Sequence, residues 1–179
     1  MNGPLLWYVN RGSGLVLLVV FTLTVVLGVL ATGNGRRLWP RFVTQGLHRG
    51  LSLVSAALLL GHVLSAVVDD YVDIRWWQAL VPFGATYRPL YLGLGTLALD
   101  ITVAVALTSL VRTRLGPAVW RAVHLTSYLA WAVAVVHTVG IGTDAADPFG
   151  RVVVAACAGA VLVAATARVA MVSRRARPA

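Results

Sequence analysis

The stretches TQGLHRGLSLVSAALLLGHVLSAVV (residues 44–68) and VWRAVHLTSYLAWAVAVVHTVGIG (residues 119–142) decide how this chain is organised. Each is long and apolar enough to cross the hydrocarbon core of a bilayer as a helix, which takes about 20 residues. Ionisable groups are costly inside a bilayer and are candidates for function there. Each stretch contains two of the four histidines of the chain, which are His48, His62, His124 and His137.

Five apolar runs of this kind occur along the chain. The 179 residues are 59% hydrophobic, with a mean hydropathy of +0.82, whereas soluble domains are roughly 45–50% apolar. A single span in lipid must satisfy its own backbone hydrogen bonds, so each run is predicted to be a helix. The sequence therefore predicts an all-α integral membrane bundle, one domain over residues 1–179, with spans at about 14–32, 44–68, 89–111, 119–142 and 151–172.

The longest stretch between predicted spans, residues 69–88, contains Trp76 and Trp77. Because such amphipathic rings favour the membrane interface, this stretch is where we expect a sixth helix that is short or interfacial. Cys157 is the only cysteine, which excludes an internal disulfide and a cysteine-ligated zinc or iron–sulfur site.

The charges are few and one-sided. All 15 basic residues are arginines and all 6 acidic residues are aspartates, giving a net charge of +9. In a soluble protein this charge would suggest nucleic acid, but the arginines fall mostly between the apolar runs, so we expect no nucleic-acid partner. Arginine-rich loops mark the cytoplasmic side. We therefore predict a multi-pass protein of the inner (cytoplasmic) membrane, with its N-terminus outside and its C-terminus in the cytoplasm. The predicted inner side carries Arg36, Arg37, Arg41, Arg112, Arg114, Arg174, Arg175 and Arg177, with Arg49, Arg121 and Arg168 nearby. The predicted outer side carries Asp69, Asp70, Asp73, Asp144 and Asp147 together with Arg11, Arg75, Arg88 and Arg151.

The two histidines on each helix are separated by nearly the same distance along the helix axis. His48 and His62 are 14 residues apart, and His124 and His137 are 13 apart, which at the α-helical rise corresponds to roughly 20 Å in each helix. Two cross-helix pairs result, one above the other. Haem iron takes two axial nitrogens on opposite faces of the porphyrin, and neutral imidazole supplies them. The pairs therefore predict two stacked b-type haems.

The angular positions agree less well with this prediction. A step of 14 residues turns an ideal helix by about −40°, so His48 and His62 share a face. A step of 13 leaves His124 and His137 about 140° apart. The fourth helix then needs a local distortion, or its two rings reach round from different sides.

Two rival interpretations of the histidines remain open. Packing histidines would hydrogen-bond the backbone or neighbouring side chains. Zinc or copper would use the same nitrogens, but pairs roughly 20 Å apart cannot form one four-ligand site.

Beyond the histidines, the chain resembles the ferric reductase-like transmembrane family. That family includes NADPH oxidases, ferric-chelate reductases and the haem-binding membrane subunit of the bacterial periplasmic methionine sulfoxide reductase system. The resemblance covers about residues 10–145. It is carried by the histidine spacings, by PFGATYRP at 82–89 and by WRAVHLTSYLAW at 120–131. It implies an inner haem between His48 and His124 and an outer haem between His62 and His137.

The expected function is transfer of electrons across the membrane through two haems b. The family's oxidases and reductases carry a cytoplasmic flavin and nicotinamide module, and we expect no such domain in these 179 residues. The donor is then a partner, either a flavoprotein with FMN or FAD or a membrane quinol, and the acceptor is an extracytoplasmic redox partner, ferric iron or oxygen. The chain is thus an oxidoreductase component. The alternatives are a non-catalytic haem-binding scaffold and a proton-coupled transporter.

Four further charged residues are candidates. Arg49 follows His48, and Arg121 lies about one turn before His124, so both are placed to pair with propionates of an inner haem; ordinary anchoring at the cytoplasmic face is the alternative. Arg88 is a similar candidate at the outer haem or at an acceptor site. Asp100 lies mid-span, where a proton relay and a helix-packing hydrogen bond are equally good interpretations.

Overall fold

A computed structural model describes residues 5–31, 40–69, 74–142 and 144–175. The described chain is mostly helical, without strands, and contains five helices long and apolar enough to span a membrane. The prediction of an all-α membrane bundle is confirmed. The helices are α1 (Leu5–Ala31), α2 (Arg41–Val68), α3 (Pro89–Leu110), α4 (Pro117–Ile141) and α5 (Pro148–Arg175).

Prolines set where most of these helices begin. Pro89, Pro117 and Pro148 are the first residues of α3, α4 and α5. Proline suits this position because its ring fixes φ near the helical value and the first turn leaves its N–H groups unpaired in any case. Pro40 directly precedes α2.

Helix α1 begins at Leu5 rather than near residue 14. It continues through Asn10, Arg11 and Ser13 because their polar side chains have partners. Arg11 forms an ion pair with Asp144 and its guanidinium lies 4.1 Å from the Trp7 ring centroid. The polar start of α1 is thereby held to the turn between α4 and α5.

The segment between α2 and α3 contains one short 3-10 helix, Trp76–Ala79, within its described part, residues 74–88. Gln78 is buried there; its Oε1 accepts from the Arg75 N–H at 3.0 Å, and its backbone carbonyl accepts from Thr96 of α3 at 3.1 Å. The segment therefore packs onto the end of α3. Several predicted topology residues, Arg36, Arg37, Asp70, Asp73 and Arg177, lie outside the described residues.

The core consists mostly of small side chains. Helix α1 packs against α2, α4 and α5, and α3 packs against α4. Buried positions are held by residues such as Thr22, Ser55, Ala130 and Ala164, and no large side chain among the described residues is fully buried. Small residues let helix backbones approach closely, which is the usual basis of packing in lipid. Many large apolar side chains instead face outward.

Candidate metal centre

Histidine rings from α2 and α4 meet at two levels of the bundle. The ring centroids of His48 and His124 are 6.1 Å apart, with the planes at 65°. The centroids of His62 and His137 are 6.5 Å apart, with the planes at 85°. We call these the inner pair and the outer pair, after the predicted topology. The structure thus brings every one of the four rings to a partner on the other helix.

The 13-residue step does not interrupt α4, which is continuous from Pro117 to Ile141. The ring of His137 lies toward α3, where its Nδ1 is 2.7 Å from the Tyr91 carbonyl oxygen. The ring of His124 instead stacks on Trp120 of its own helix, with centroids 5.0 Å apart and planes at 25°. The two rings reach their partners from different sides of a regular helix.

Backbone carbonyls hold three of the four rings by their Nδ1 atoms. His48 Nδ1 is 3.1 Å from the Thr24 carbonyl oxygen, and His62 Nδ1 is 3.0 Å from that of Asn10. A carbonyl only accepts, so Nδ1 carries the proton and donates, which leaves the lone pair on Nε2. Metal-bound histidines are oriented by the same kind of contact.

Glycines lie against the same three rings. A Cβ atom at Gly14 would come within 3.0 Å of His62 Cε1, and one at Gly28 within 3.5 Å of His48 Cε1. At Gly95 the distance to His137 Cε1 would be 2.5 Å, which no real Cβ tolerates. These glycines allow the backbones of α1 and α3 to lie directly beside the imidazoles.

A cavity of about 400 Å³ surrounds the outer pair. His62 and His137 both line it, and the rest of its wall is mostly apolar side chains of α1, α2 and α3. At one end it reaches Trp7, Arg11 and Asp144. The outer pair therefore faces an apolar space between the helices.

The three candidate arginines occupy different environments. Arg49 and Arg121 are exposed on α2 and α4, next to His48 and about one turn before His124. Arg88 precedes α3 with a left-handed φ of 39°, and its Nη1 donates to the Gly140 carbonyl at 2.6 Å. Arg88 is thus tied to the end of α4, on the same helix as His137.

Asp100 is partly exposed in the middle of α3 and is not among the described residues that line the cavity of the outer pair. In the part of the chain that the structure describes, no group of three or more His, Cys, Asp or Glu side chains could hold a metal ion. Each histidine pair therefore stands as a two-nitrogen site.

Sequence reasoning missed Asn10, the glycine contacts and the stacking of Trp120. A signal for part of this was present. Thr24 and Gly28 stand 14 residues after Asn10 and Gly14, and this is the spacing of His48 and His62 in the neighbouring helix. Two glycines with the same spacing as two histidines on the next span indicate that the histidine rings lie against the glycines.

The family model that matches this chain is the ferric reductase like transmembrane component, over residues 13–141. The chain belongs to the ferric reductase-like transmembrane family. The resemblance drawn from the sequence is thereby confirmed. The match begins in α1 and ends with α4, so all four histidines of this ferric reductase-like chain lie inside it. Comparisons with curated proteins and with solved structures found no match.

Ferric reductase-like domains generally bind haem, and the residues present here fit that group. Two imidazoles on opposite sides of one metal ion, with metal–nitrogen bonds of about 2.0 Å, have ring centroids roughly 6 Å apart. The observed 6.1 and 6.5 Å match this separation. With three Nδ1 atoms turned to carbonyls, the corresponding Nε2 atoms are the donors left for iron.

Proposed function

We propose that this membrane protein passes electrons across the bilayer through two b-type haems, one at each histidine pair. The observation that carries the proposal is the geometry of the pairs. In each pair the ring centroids are 6.1 or 6.5 Å apart, which is compatible with two imidazoles on one iron, and the rings come from helices that run in the same direction. The family membership supports an electron-transfer role.

The proposed ligands are His48 and His124 for the inner haem and His62 and His137 for the outer haem. Arg49 and Arg121 lie exposed beside the inner pair, where guanidinium groups are suited to haem propionates. Arg88 is proposed to act near the outer haem or an acceptor, as a residue whose contact with Gly140 holds the end of α4 in place.

Haem, when bound, supplies an iron that takes up and releases single electrons. The residues of the protein would hold the haem and set the polarity around it. Carbonyl contacts fix the orientation of three rings. A haem held by both histidines of a pair would be suited to electron transfer rather than to chemistry at the metal. The wall around the outer pair is mostly apolar, and the polarity of the surroundings of a metal site influences its redox potential.

We propose the direction from the cytoplasm to the outside. The turn between α3 and α4 carries Arg112 and Arg114, whereas the turn between α4 and α5 carries Asp144 and Asp147, and this asymmetry supports the predicted orientation in the cytoplasmic membrane. The proposed donor is a flavoprotein with FMN or FAD, or a quinol. The proposed acceptor is an extracytoplasmic redox partner, ferric iron or oxygen.

Haem content tests the proposal most directly. Protein purified in detergent and supplied with haem should show reduced b-type Soret and α bands and two haems per chain. His62→Ala and His137→Ala should each remove the same haem, and His48→Ala and His124→Ala the other. The matched control is Gln45→Ala, an exposed residue on α2 near His48, which should retain both. A preparation without b-type bands, or loss of different haems in the two outer variants, would contradict the proposal.

A second experiment separates a conduit from a scaffold or a transporter. In sealed vesicles, a donor confined to the cytoplasmic face should reduce the haem, and an impermeant acceptor on the other side should reoxidise it. Haem that a donor reduces but no external acceptor reoxidises would leave the scaffold as the better account. Proton-coupled flux without haem would instead support the transporter.

A further inference from the structure

Three of the four histidine rings lie in the same local arrangement. In each, the ring Nδ1 meets the backbone carbonyl of a residue on a neighbouring helix, and the ring edge meets a glycine four residues later. We call this carbonyl–glycine arrangement a seat. The three seats are Asn10 with Gly14 for His62, Thr24 with Gly28 for His48, and Tyr91 with Gly95 for His137.

The two seats on α1 are 14 residues apart, a step that returns to nearly the same helix face. The same step along α3 from Tyr91 and Gly95 leads to Val105 and Ser109. These positions lie at the level of His124, because α3 and α4 are antiparallel neighbours. A seat for His124, formed by the Val105 carbonyl and a glycine at position 109, would therefore be expected at this level.

The fourth seat is absent from these positions. Ser109 stands where the glycine would be, and its Oγ lies 3.5 Å from the indole Nε1 of Trp120. The Thr108 hydroxyl donates to the Ala104 carbonyl at 2.7 Å and lies 3.2 Å from the Val105 carbonyl. The Ser109 side chain and the Trp120 indole beside it therefore occupy the space that a glycine would leave free at this position.

His124 is consequently held in another way. Its ring stacks on Trp120, and its Nδ1 is buried without a hydrogen-bond partner among the described residues. A buried polar atom without a partner carries a cost in free energy, so this orientation of the ring is less favourable than that of the other three. The outer pair has two seated rings, and the inner pair has one.

From this difference we infer that His124 is the exchangeable histidine, and that the inner site takes a small neutral ligand such as carbon monoxide when the iron is reduced. The inference rests on the proposed haem binding. With haem bound, release of the His124 ring would free one ligand position, which carbon monoxide would take without any change in the oxidation state of the iron. Trp120 is the positioning residue that restrains this exchange by stacking on the ring.

The test is carbon monoxide binding to the reduced, haem-loaded protein, followed by difference spectroscopy and stopped flow. In the unmodified protein, carbon monoxide should bind to one of the two haems. In Trp120→Leu the rate of binding should rise about twofold to tenfold, since an aromatic stack contributes a factor of this size. Trp120→Phe keeps an aromatic face and should stay close to the unmodified rate.

The matched control is Trp131→Leu, the same substitution on the same helix. The Trp131 indole donates to Thr22 on α1 at 2.9 Å and makes no ring contact with the described histidines, so carbon monoxide binding should be unchanged. Binding to both haems or to neither in the unmodified protein would overturn the inference, as would equal rates in the two leucine variants. A protein without haem bands would instead refute the proposed function itself.

Discussion

Asn10 on α1 holds His62 on α2 from both its backbone and its side chain. Its carbonyl oxygen lies 3.0 Å from His62 Nδ1, and its side-chain amide donates to the His62 carbonyl at 2.7 Å and to Ser65 Oγ at 3.1 Å. The side chain therefore fixes the distance between the two helices at the point where the backbone orients the ring. No other described histidine has such a side-chain clamp on its seat.

Asn10→Ala should loosen this clamp while leaving the carbonyl in place. We expect a loss of about 1–2 kcal/mol in stability, because two hydrogen bonds to partly buried groups are removed. The electron paramagnetic resonance spectrum of the oxidised outer haem should shift, since His62 gains freedom to rotate. Thr24→Val is the control at the inner pair: its hydroxyl bonds only within α1, to Val20, so the inner signal should not move. A shifted inner signal with an unchanged outer one would refute the assignment of Asn10.

Glycine-to-alanine substitutions should weaken haem binding more strongly the closer the added Cβ atom lies to the histidine ring. The added Cβ would lie 2.5 Å from the His137 ring at Gly95, 3.0 Å from the His62 ring at Gly14 and 3.5 Å from the His48 ring at Gly28. Gly95→Ala should therefore lose the outer haem, Gly14→Ala should weaken it, and Gly28→Ala should leave the inner haem bound. Overpacking of this kind costs about 1–3 kcal/mol.

Haem stoichiometry measured for each glycine variant checks this order. Gly159→Ala on α5 is the control, since its Cβ would meet nothing within 4 Å. Loss of haem in Gly28→Ala but not in Gly95→Ala would contradict the contacts described here.

The ion pair between Arg11 and Asp144 should stabilise the folded protein by joining α1 to the turn between α4 and α5. Its side chains are 17% and 33% exposed, so solvent screening keeps the coupling to about 1 kcal/mol. A double-mutant cycle with Arg11→Gln and Asp144→Asn, followed by unfolding in detergent, measures this free energy. Additive effects of the two changes would show that the pair contributes nothing.

Arg88 allows a backbone effect to be separated from a side-chain effect. Its left-handed φ of 39° favours glycine, while its guanidinium holds the Gly140 carbonyl. Arg88→Gly and Arg88→Ala both lose that contact. The glycine variant should be more stable than the alanine variant by about 1 kcal/mol, because the left-handed backbone is strained only for a residue with a Cβ atom. Equal melting temperatures of the two variants would count against strain at this position.

The five helices were predictable because each is a long apolar run, and the histidine pairs were predictable because residue spacing converts directly into depth. The seats were not predictable in the same way. A carbonyl acceptor has no signature in the sequence, and whether Gly95 contacts a ring depends on how α3 packs against α4. The early start of α1 also escaped prediction, because the charge of Arg11 is compensated by Asp144, which is 133 residues away.

The packing of α1 with α2 and of α3 with α4 divides the bundle into two helical hairpins, and each histidine pair takes one ring from each hairpin. The seats for His48 and His62 lie within the first hairpin, and the seat for His137 lies within the second. These three rings are therefore oriented within their own hairpin, whereas His124 is held by stacking on Trp120 of its own helix. We expect the two hairpins to form first and then to dock, with the proposed haems joining one hairpin to the other.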